Sequence, residues 1–179
     1  MPKLIENIRD QLLNEARGQV AQRGYAKTTV RSVAAACGIA VGTVYNYFPS
    51  KEALIASFVA EDWRESLAAM GQRSRGDAES CLRSVYDGLL DFAGKHGALF
   101  ADPDAAKAVS GVMLSRHLQL REQLAALIEP VAPSDDGFTA RFIAEALLTW
   151  TISNTPFERI YQELEKLLSN QKEESYEQL

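Results

Sequence analysis

The fold is decided by residues 24–54, which read GYAKTTVRSVAAACGIAVGTVYNYFPSKEAL. Gly24 is predicted to stop a first helix, because glycine readily adopts the left-handed backbone that closes helices. Thr28 or Thr29 then caps a second helix. Gly38 ends that helix, and a turn of about four residues leads into a third. This spacing predicts a helix-turn-helix, in which two short helices cross closely.

The third helix, predicted over about residues 43–48, carries side chains suited to the edges of DNA bases. Tyr45 and Tyr47 combine flat apolar rings with hydroxyl groups. Asn46 can both donate and accept hydrogen bonds, and adenine is its best geometric match. Val44 and Phe48 lie four residues apart, so we expect both to face the core. The alternative for either tyrosine is a place in that core.

The segment resembles the N-terminal signature of the TetR (tetracycline-repressor-like) transcriptional regulators over about residues 10–56. The shared features are the Thr-Thr cap, the glycine turn, the Gly-Thr-aliphatic-Tyr start of the third helix, and Phe-Pro-Ser-Lys-Glu. The resemblance implies an all-α protein with an N-terminal three-helix helix-turn-helix DNA-binding domain and a C-terminal helical ligand-binding and dimerisation domain. The residues that it implies for DNA contact are Thr28, Thr29, Val41, Gly42, Thr43, Tyr45, Asn46, Tyr47 and Lys51.

Charge is distributed unevenly along the 179 residues. The net charge is −5, yet residues 1–55 hold seven Lys and Arg against four Asp and Glu. A basic N-terminal segment attracts phosphate, while an acidic remainder keeps the rest of the protein off the DNA.

Helical spacing of apolar residues continues beyond the helix-turn-helix, and no alternating run predicts a strand. The predicted helices cover about 3–24, 28–37, 43–48, 51–72, 78–95, 102–128 with a break near Gly111, 138–154 and 156–169. From these we predict a DNA-binding domain over 1–52, an effector-binding and dimerisation domain over 53–170, and a frayed polar tail over 171–179.

Two sets of residues in the C-terminal part are candidates for function. The last two helices carry apolar stripes that could pair with a second copy in a two-fold interface, or could cover the protomer's own core. The interface candidates are Phe138, Phe142, Phe157, Ile160, Tyr161, Leu164 and Leu168. Aromatic and sulfur side chains could line an effector pocket, although core packing explains them equally. The pocket candidates are Trp63, Tyr86, Phe92, Phe100, Met113, His117 and Trp150.

The leading hypothesis is a homodimeric repressor on a palindromic operator in double-stranded DNA, released by an unknown small effector that is apolar or amphipathic. An enzyme is disfavoured, because no glycine-rich phosphate loop or nucleophile motif occurs. Cys37 and Cys81 form no CxxC pair, so we expect neither metal nor cofactor. No apolar run suits a membrane or a signal peptide, which predicts a cytoplasmic protein. A third hypothesis is a helical adaptor that contacts protein instead of DNA.

Overall fold

The computed structural model describes residues 7–74 and 76–177, except the side chains of 107–116 and 170–177. The described chain is helical, without a strand, as the sequence predicts. Its helices are α1 (Ile8–Lys27), α2 (Val30–Ala36), α3 (Val41–Tyr47), α4 (Lys51–Arg73), α5 (Ala78–Phe100), α6 (Pro103–Ile128), α7 (Phe138–Ile152) and α8 (Phe157–Glu177).

Glycines set the turns of the N-terminal helices. Gly24 has φ +81° and interrupts the helical backbone of α1. Gly38 has φ +67° and follows the end of α2. An L side chain is disfavoured in this left-handed region, so both positions favour glycine. The predicted stop at Gly38 is confirmed, whereas Gly24 breaks the helical backbone within α1, which ends at Lys27.

Several helix bounds differ from the predictions. Gly94 and Gly97 do not loosen α5, which continues to Phe100, and the backbone of α6 is continuous through Gly111. An isolated glycine costs a helix only about 1 kcal/mol, which tertiary packing can offset. The last helix runs to Glu177, although its polar composition predicts a tail. The predicted domain boundaries concern function and stay predictions.

The chain divides into two compact units. The first unit comprises α1 to α3, α4 as far as Arg64, and Lys95–Met113; the second comprises Glu65–Gly94 and the chain from Leu114 onward. Helices α4, α5 and α6 therefore each contribute residues to both units.

The first unit is built around an apolar cluster. Leu12, Val33 and Val44 are fully buried, so that each of α1, α2 and α3 contributes to one core. Phe48 is 3% exposed, which confirms the prediction that Val44 and Phe48 face inward. This packing fixes which side of α3 remains available to solvent.

The second unit has its own core. Its buried side chains include Leu82, Leu124, Ile143, Leu147, Phe157 and Leu164. Gly88 marks a close approach of α5 to α4, because a Cβ there would lie 2.5 Å from Cε of Met70. The side-chain hydroxyl of Ser84 donates to the Met70 carbonyl at 2.7 Å within the same contact.

In the described ranges, the helices are not long and apolar enough to cross a membrane.

Candidate nucleic-acid interface

A capping box begins α2 at the residue predicted to cap it. The Ser32 amide donates to Oγ1 of Thr29 at 3.0 Å, and the Thr29 amide donates to Oγ of Ser32 at 3.0 Å. This reciprocal pair satisfies two amides that a helix N-terminus otherwise leaves without partners. Thr29 is exposed, so the cap holds its side chain at the surface.

Thr28 differs from the role that the resemblance implies. Its side chain is 1% exposed, and its hydroxyl donates to the Gly24 carbonyl at 2.9 Å. A hydroxyl held in this way fixes the turn between α1 and α2 and is not presented to phosphate. Thr28 is therefore better described as a structural residue of the turn.

Helix α3 presents its polar side to solvent. Tyr45 is 51% exposed, and Asn46 is exposed beside it. The alternative that Tyr45 is a core aromatic is therefore wrong. Tyr47 is half-buried and packs against the apolar cluster, so its ring has a structural role in addition to any contact with DNA.

The start of α3 adds smaller groups to this surface. Gly42 is exposed, while Val41 and Thr43 are half-buried. The absence of a side chain at Gly42 would let DNA approach the helix backbone closely. We define the reading surface as Thr29, Gly42, Thr43, Tyr45 and Asn46.

Lys51 is already engaged within the chain. Its Nζ donates to the Tyr25 carbonyl at 2.6 Å and lies 3.5 Å from the centroid of the Tyr25 ring. Burial lowers the pKa of Lys51, and the nearby Glu52 partly offsets that effect. A phosphate contact by Lys51, as the resemblance implies, requires this hydrogen bond to be exchanged.

Gln19 holds Ser32 of the capping box, and Tyr25 contacts Lys51 and Glu52; neither Gln19 nor Tyr25 was predicted from the sequence. The Tyr25 hydroxyl donates to Glu52 at 3.1 Å; burial and that carboxylate raise the pKa of Tyr25 to about 12. Gln19 is 5% exposed, and its amide donates to the Ser32 carbonyl at 3.2 Å. The signal for Gln19 was its spacing, since it continues the buried stripe of Leu12 and Ala16.

The residues predicted for the effector pocket lie in different environments, and the pocket they were to form stays a prediction. Trp63 and Tyr86 are 7% and 9% exposed and pack as core residues of their units, whereas Trp150 is 52% exposed. His117 is exposed, and its Nε2 lies 2.9 Å from the Glu145 carboxylate. Phe92 and Phe100 are half-buried. The side chain of Met113 lies outside the described residues.

A cavity of about 330 Å³ in the second unit is lined by other residues. They come from the end of α4, the start of α5, the end of α6 and the loops that follow α4 and α6. Met70, Val85 and Leu127 give it an apolar lining, and the Cys81 thiol beside them donates to the Leu127 carbonyl. The residues predicted for a pocket from the sequence do not line this cavity.

The predicted dimer residues separate into two groups. On α8, Phe157, Ile160, Leu164 and Leu168 are 2–8% exposed and cover the protomer's own core, and Tyr161 stacks on Phe157 at 5.4 Å between ring centroids. Within the protomer these side chains pack inward, and their place in a dimer interface stays a prediction.

On α7, Phe138 and Phe142 are 61% and 48% exposed, with ring centroids 6.2 Å apart. Trp150 and Ile152 on the same helix are also exposed, at 52% and 67%. We call Phe138, Phe142, Trp150 and Ile152 the α7 apolar surface. It is unusual for large apolar side chains to be exposed together without a partner.

Among the described residues, no group of three or more His, Cys, Asp and Glu side chains is placed to hold a metal ion.

Comparison with known proteins agrees with the geometry of the first unit. Residues 12–58 match the model of the family described as bacterial regulatory proteins, tetR family. The chain is 32% identical over 68 residues to the HTH-type transcriptional regulator UidR of Escherichia coli strain K12, covering 38% of this chain and 35% of UidR. It is 31% identical over 114 residues to the HTH-type transcriptional repressor KstR of Rhodococcus jostii, covering 58% and 53%.

Solved structures extend the likeness to nearly the whole chain. A TetR-family transcriptional regulator from Pectobacterium atrosepticum matches with a TM-score of 0.59 at 22% identity, over 93% of this chain and 91% of that one. The multidrug binding protein EbrR, complexed with imidazole, matches with a TM-score of 0.60 at 18% identity, over 91% and 90%. Identities this low show the fold alone.

The match to the tetR family model covers α1, α2, α3 and the start of α4, so this segment is a helix-turn-helix of the TetR type. The alignments span only about a third to a half of the length of these two curated relatives.

Proposed function

We propose that this protein is a homodimeric transcriptional repressor that binds a palindromic operator and is released from it by a small effector. The observation that carries the proposal is the reading surface, where Tyr45 and Asn46 stand exposed on a short helix whose other side is fixed in a core. Such a helix can enter the major groove with its side chains against base edges. DNA as the target also favours the cytoplasm as its location.

The names of two relatives support repression as the direction of control. KstR of Rhodococcus jostii and Rv1474c of Mycobacterium tuberculosis are both named HTH-type transcriptional repressors. A repressor of this kind needs no catalytic step.

The α7 apolar surface supports a second copy of the chain as partner. Phe138, Phe142, Trp150 and Ile152 lie along one helix of 15 residues. In an isologous contact, this surface of one copy faces the same surface of the other copy, so the four side chains would be covered in both copies. Two copies would then bind two half-sites about one turn of DNA apart, which explains how a short reading helix gains affinity.

The cavity in the second unit supports an effector of limited size. A volume of about 330 Å³ lies at the lower end of ligand pockets. Its lining by Met70, Val85 and Leu127 favours an apolar or amphipathic molecule. EbrR, which shares the fold, is named as a multidrug binding protein. Effector binding would lower operator affinity by its preference for the conformation that does not bind DNA.

Selection of genomic DNA fragments by the purified protein tests this proposal. The selection is run with and without a metabolite extract. Enrichment of one palindrome that the extract weakens is the expected result. No enriched sequence at moderate salt contradicts the repressor and favours the adaptor.

A second experiment tests the dimer alone. We expect Phe142→Glu to shift the sedimentation equilibrium toward the monomer, because it places a charge on the α7 apolar surface. Leu90→Glu is the matched control, since Leu90 is 36% exposed but lies on α5. A wild-type protein that sediments as a monomer, or a Phe142→Glu protein that stays dimeric, excludes this interface.

A further inference from the structure

A buried carboxylate in the first unit ties three helices together. Asp62 of α4 is 2% exposed. Its oxygens lie 2.9 Å from a guanidinium nitrogen of Arg17 on α1, 3.0 Å from Nζ of Lys95 on α5 and 3.0 Å from Nε2 of His96 on α5. We call these four residues the Asp62 cluster. The reading surface uses none of them.

Asp62 keeps its negative charge although it is buried. Burial alone would raise the pKa of Asp62, but hydrogen bonds from Lys95 and Arg17 outweigh burial and hold that pKa below its ordinary value. Burial lowers the pKa of His96, an effect that Asp62 partly offsets. Asp62 is therefore ionised at neutral pH, and its two strongest partners come from different helices. A buried carboxylate that loses a partner is costly, so the cluster resists separation of these helices.

Arg17 continues the connection toward the reading surface. Two residues further along α1, the Gln19 amide donates to the Ser32 carbonyl at 3.2 Å, and the Ser32 hydroxyl donates to Oε1 of Gln19 at 2.6 Å. Ser32 is the residue that completes the capping box with Thr29. Asp62 therefore connects α5 to Arg17 of α1, and Gln19 of α1 connects to Ser32 at the start of α2.

All four residues of the cluster belong to the first unit. Asp62 is two residues before Arg64, the last residue that α4 gives to the first unit. Lys95 and His96 are the first residues that α5 gives to it. The part of α5 before them belongs to the second unit, which also holds the apolar cavity. A shift of α5 would move both of these partners of Asp62.

We propose that Asp62 is a positioning residue through which α5 controls the orientation of the helix-turn-helix. Displacement of Lys95 and His96 moves the carboxylate that also holds Arg17, and α1 carries the displacement to the cap of α2. The inference rests on the proposed function, because it names how the DNA-binding surface is regulated. A connection of this kind is a contiguous physical network rather than a correlation.

The test changes Lys95, the exposed residue that α5 contributes to the Asp62 cluster. Lys95→Met removes the ammonium group, and Lys95→Arg keeps a cation at that position. Lys166→Met is the matched control, because Lys166 is also an exposed lysine and its Nζ lies 2.8 Å from the Glu163 carboxylate. Amide hydrogen exchange over residues 14–20 of α1 is compared in the full-length proteins. We expect faster exchange in Lys95→Met, recovery in Lys95→Arg and no change in Lys166→Met.

Operator affinity is measured on the folded protein, so a general loss of stability does not change it. On the selected palindrome, Lys95→Met is expected to change the affinity of the folded protein by about fivefold or more, which is ordinary for coupling between sites. The same substitution is expected to have no further effect in an Asp62→Asn background.

The two proposals fail in different ways. Unchanged exchange in α1 with unchanged operator affinity overturns the role of Asp62 while leaving DNA binding intact. Equal effects of Lys95→Met with and without Asp62 overturn it as well. If the wild-type protein binds no selected DNA, the proposed function is wrong, and the exchange of α1 alone decides whether α5 is coupled to it.

Discussion

Removal of the cap on α2 is predicted to weaken both the fold and the binding of DNA. In Thr29→Ala the Ser32 amide loses the Oγ1 acceptor that now lies 3.0 Å away. Thr29 is exposed, so the substitution leaves no cavity and the lost hydrogen bond is the whole perturbation. Helix α2 has only seven residues, and short helices depend strongly on each terminal interaction.

The expected loss of stability follows from N-cap substitutions measured in other proteins. Replacement of a threonine cap by alanine costs about 1 kcal/mol, within a range of roughly 0.5–2 kcal/mol. For a chain of this size that corresponds to a fall in Tm of roughly 2–4 °C. Thr29→Ser keeps the acceptor oxygen and is expected to retain most of the stability.

The matched control is the cap of α4. Oγ of Ser50 accepts from the Ala53 amide at 3.1 Å, so Ser50→Ala removes an equivalent hydrogen bond outside the reading surface. Calorimetric melting and anisotropy with the selected operator are measured on all three variants. We expect Thr29→Ala and Ser50→Ala to lose similar stability while only Thr29→Ala loses operator affinity. A Thr29→Ala protein with the Tm of the wild type refutes the reasoning about the cap.

Three further predictions concern stability. Val44 is fully buried, so Val44→Ala is expected to cost about 2 kcal/mol in urea unfolding; no loss would show that α3 is not fixed by the core. Gly38 has φ +67°, so Gly38→Ala is expected to lower the unfolding free energy by roughly 1–2 kcal/mol, and an unchanged value would contradict that backbone. Burial lowers the pKa of His96 from its ordinary 6.5. As the pH falls below about 6.5, His96 is protonated in the unfolded chain before it is protonated in the folded protein, so the free energy of unfolding decreases. His96→Gln should flatten that fall, which is at most about 1.4 kcal/mol per pH unit, and an identical pH profile would contradict the burial.

The helix-turn-helix could be predicted from the sequence because its signals are local. A glycine that stops a helix, a threonine cap and the spacing of Val44 and Phe48 all act within a few residues of one another. The structure confirms Gly38 as a stop and Thr29 as the cap, and it places a break within α1 at Gly24. The family comparison covers the same segment.

The candidate sites of the second unit could not be predicted in the same way. A stripe such as Phe157, Ile160 and Leu164 shows that one face of a helix is buried, but not whether the protomer or a second copy buries it. The Asp62 cluster was equally hidden, because residues 17, 62 and 95 are brought together only by the tertiary fold. Thr28 and Thr29 show the same limit, since burial separates the roles of two adjacent identical residues.

The most direct test of the central claim is an anisotropy titration of the selected palindrome with Tyr45→Ala, Asn46→Ala and the control Leu90→Ala. Each reading-surface variant is expected to lose roughly 1–3 kcal/mol of binding free energy, with Asn46→Ala also relaxing the preference for the operator over a scrambled sequence. The wild-type affinity is expected to fall steeply with salt. Operator affinities that are equal for Tyr45→Ala, Asn46→Ala and Leu90→Ala would contradict the assignment of α3 as the helix that reads DNA.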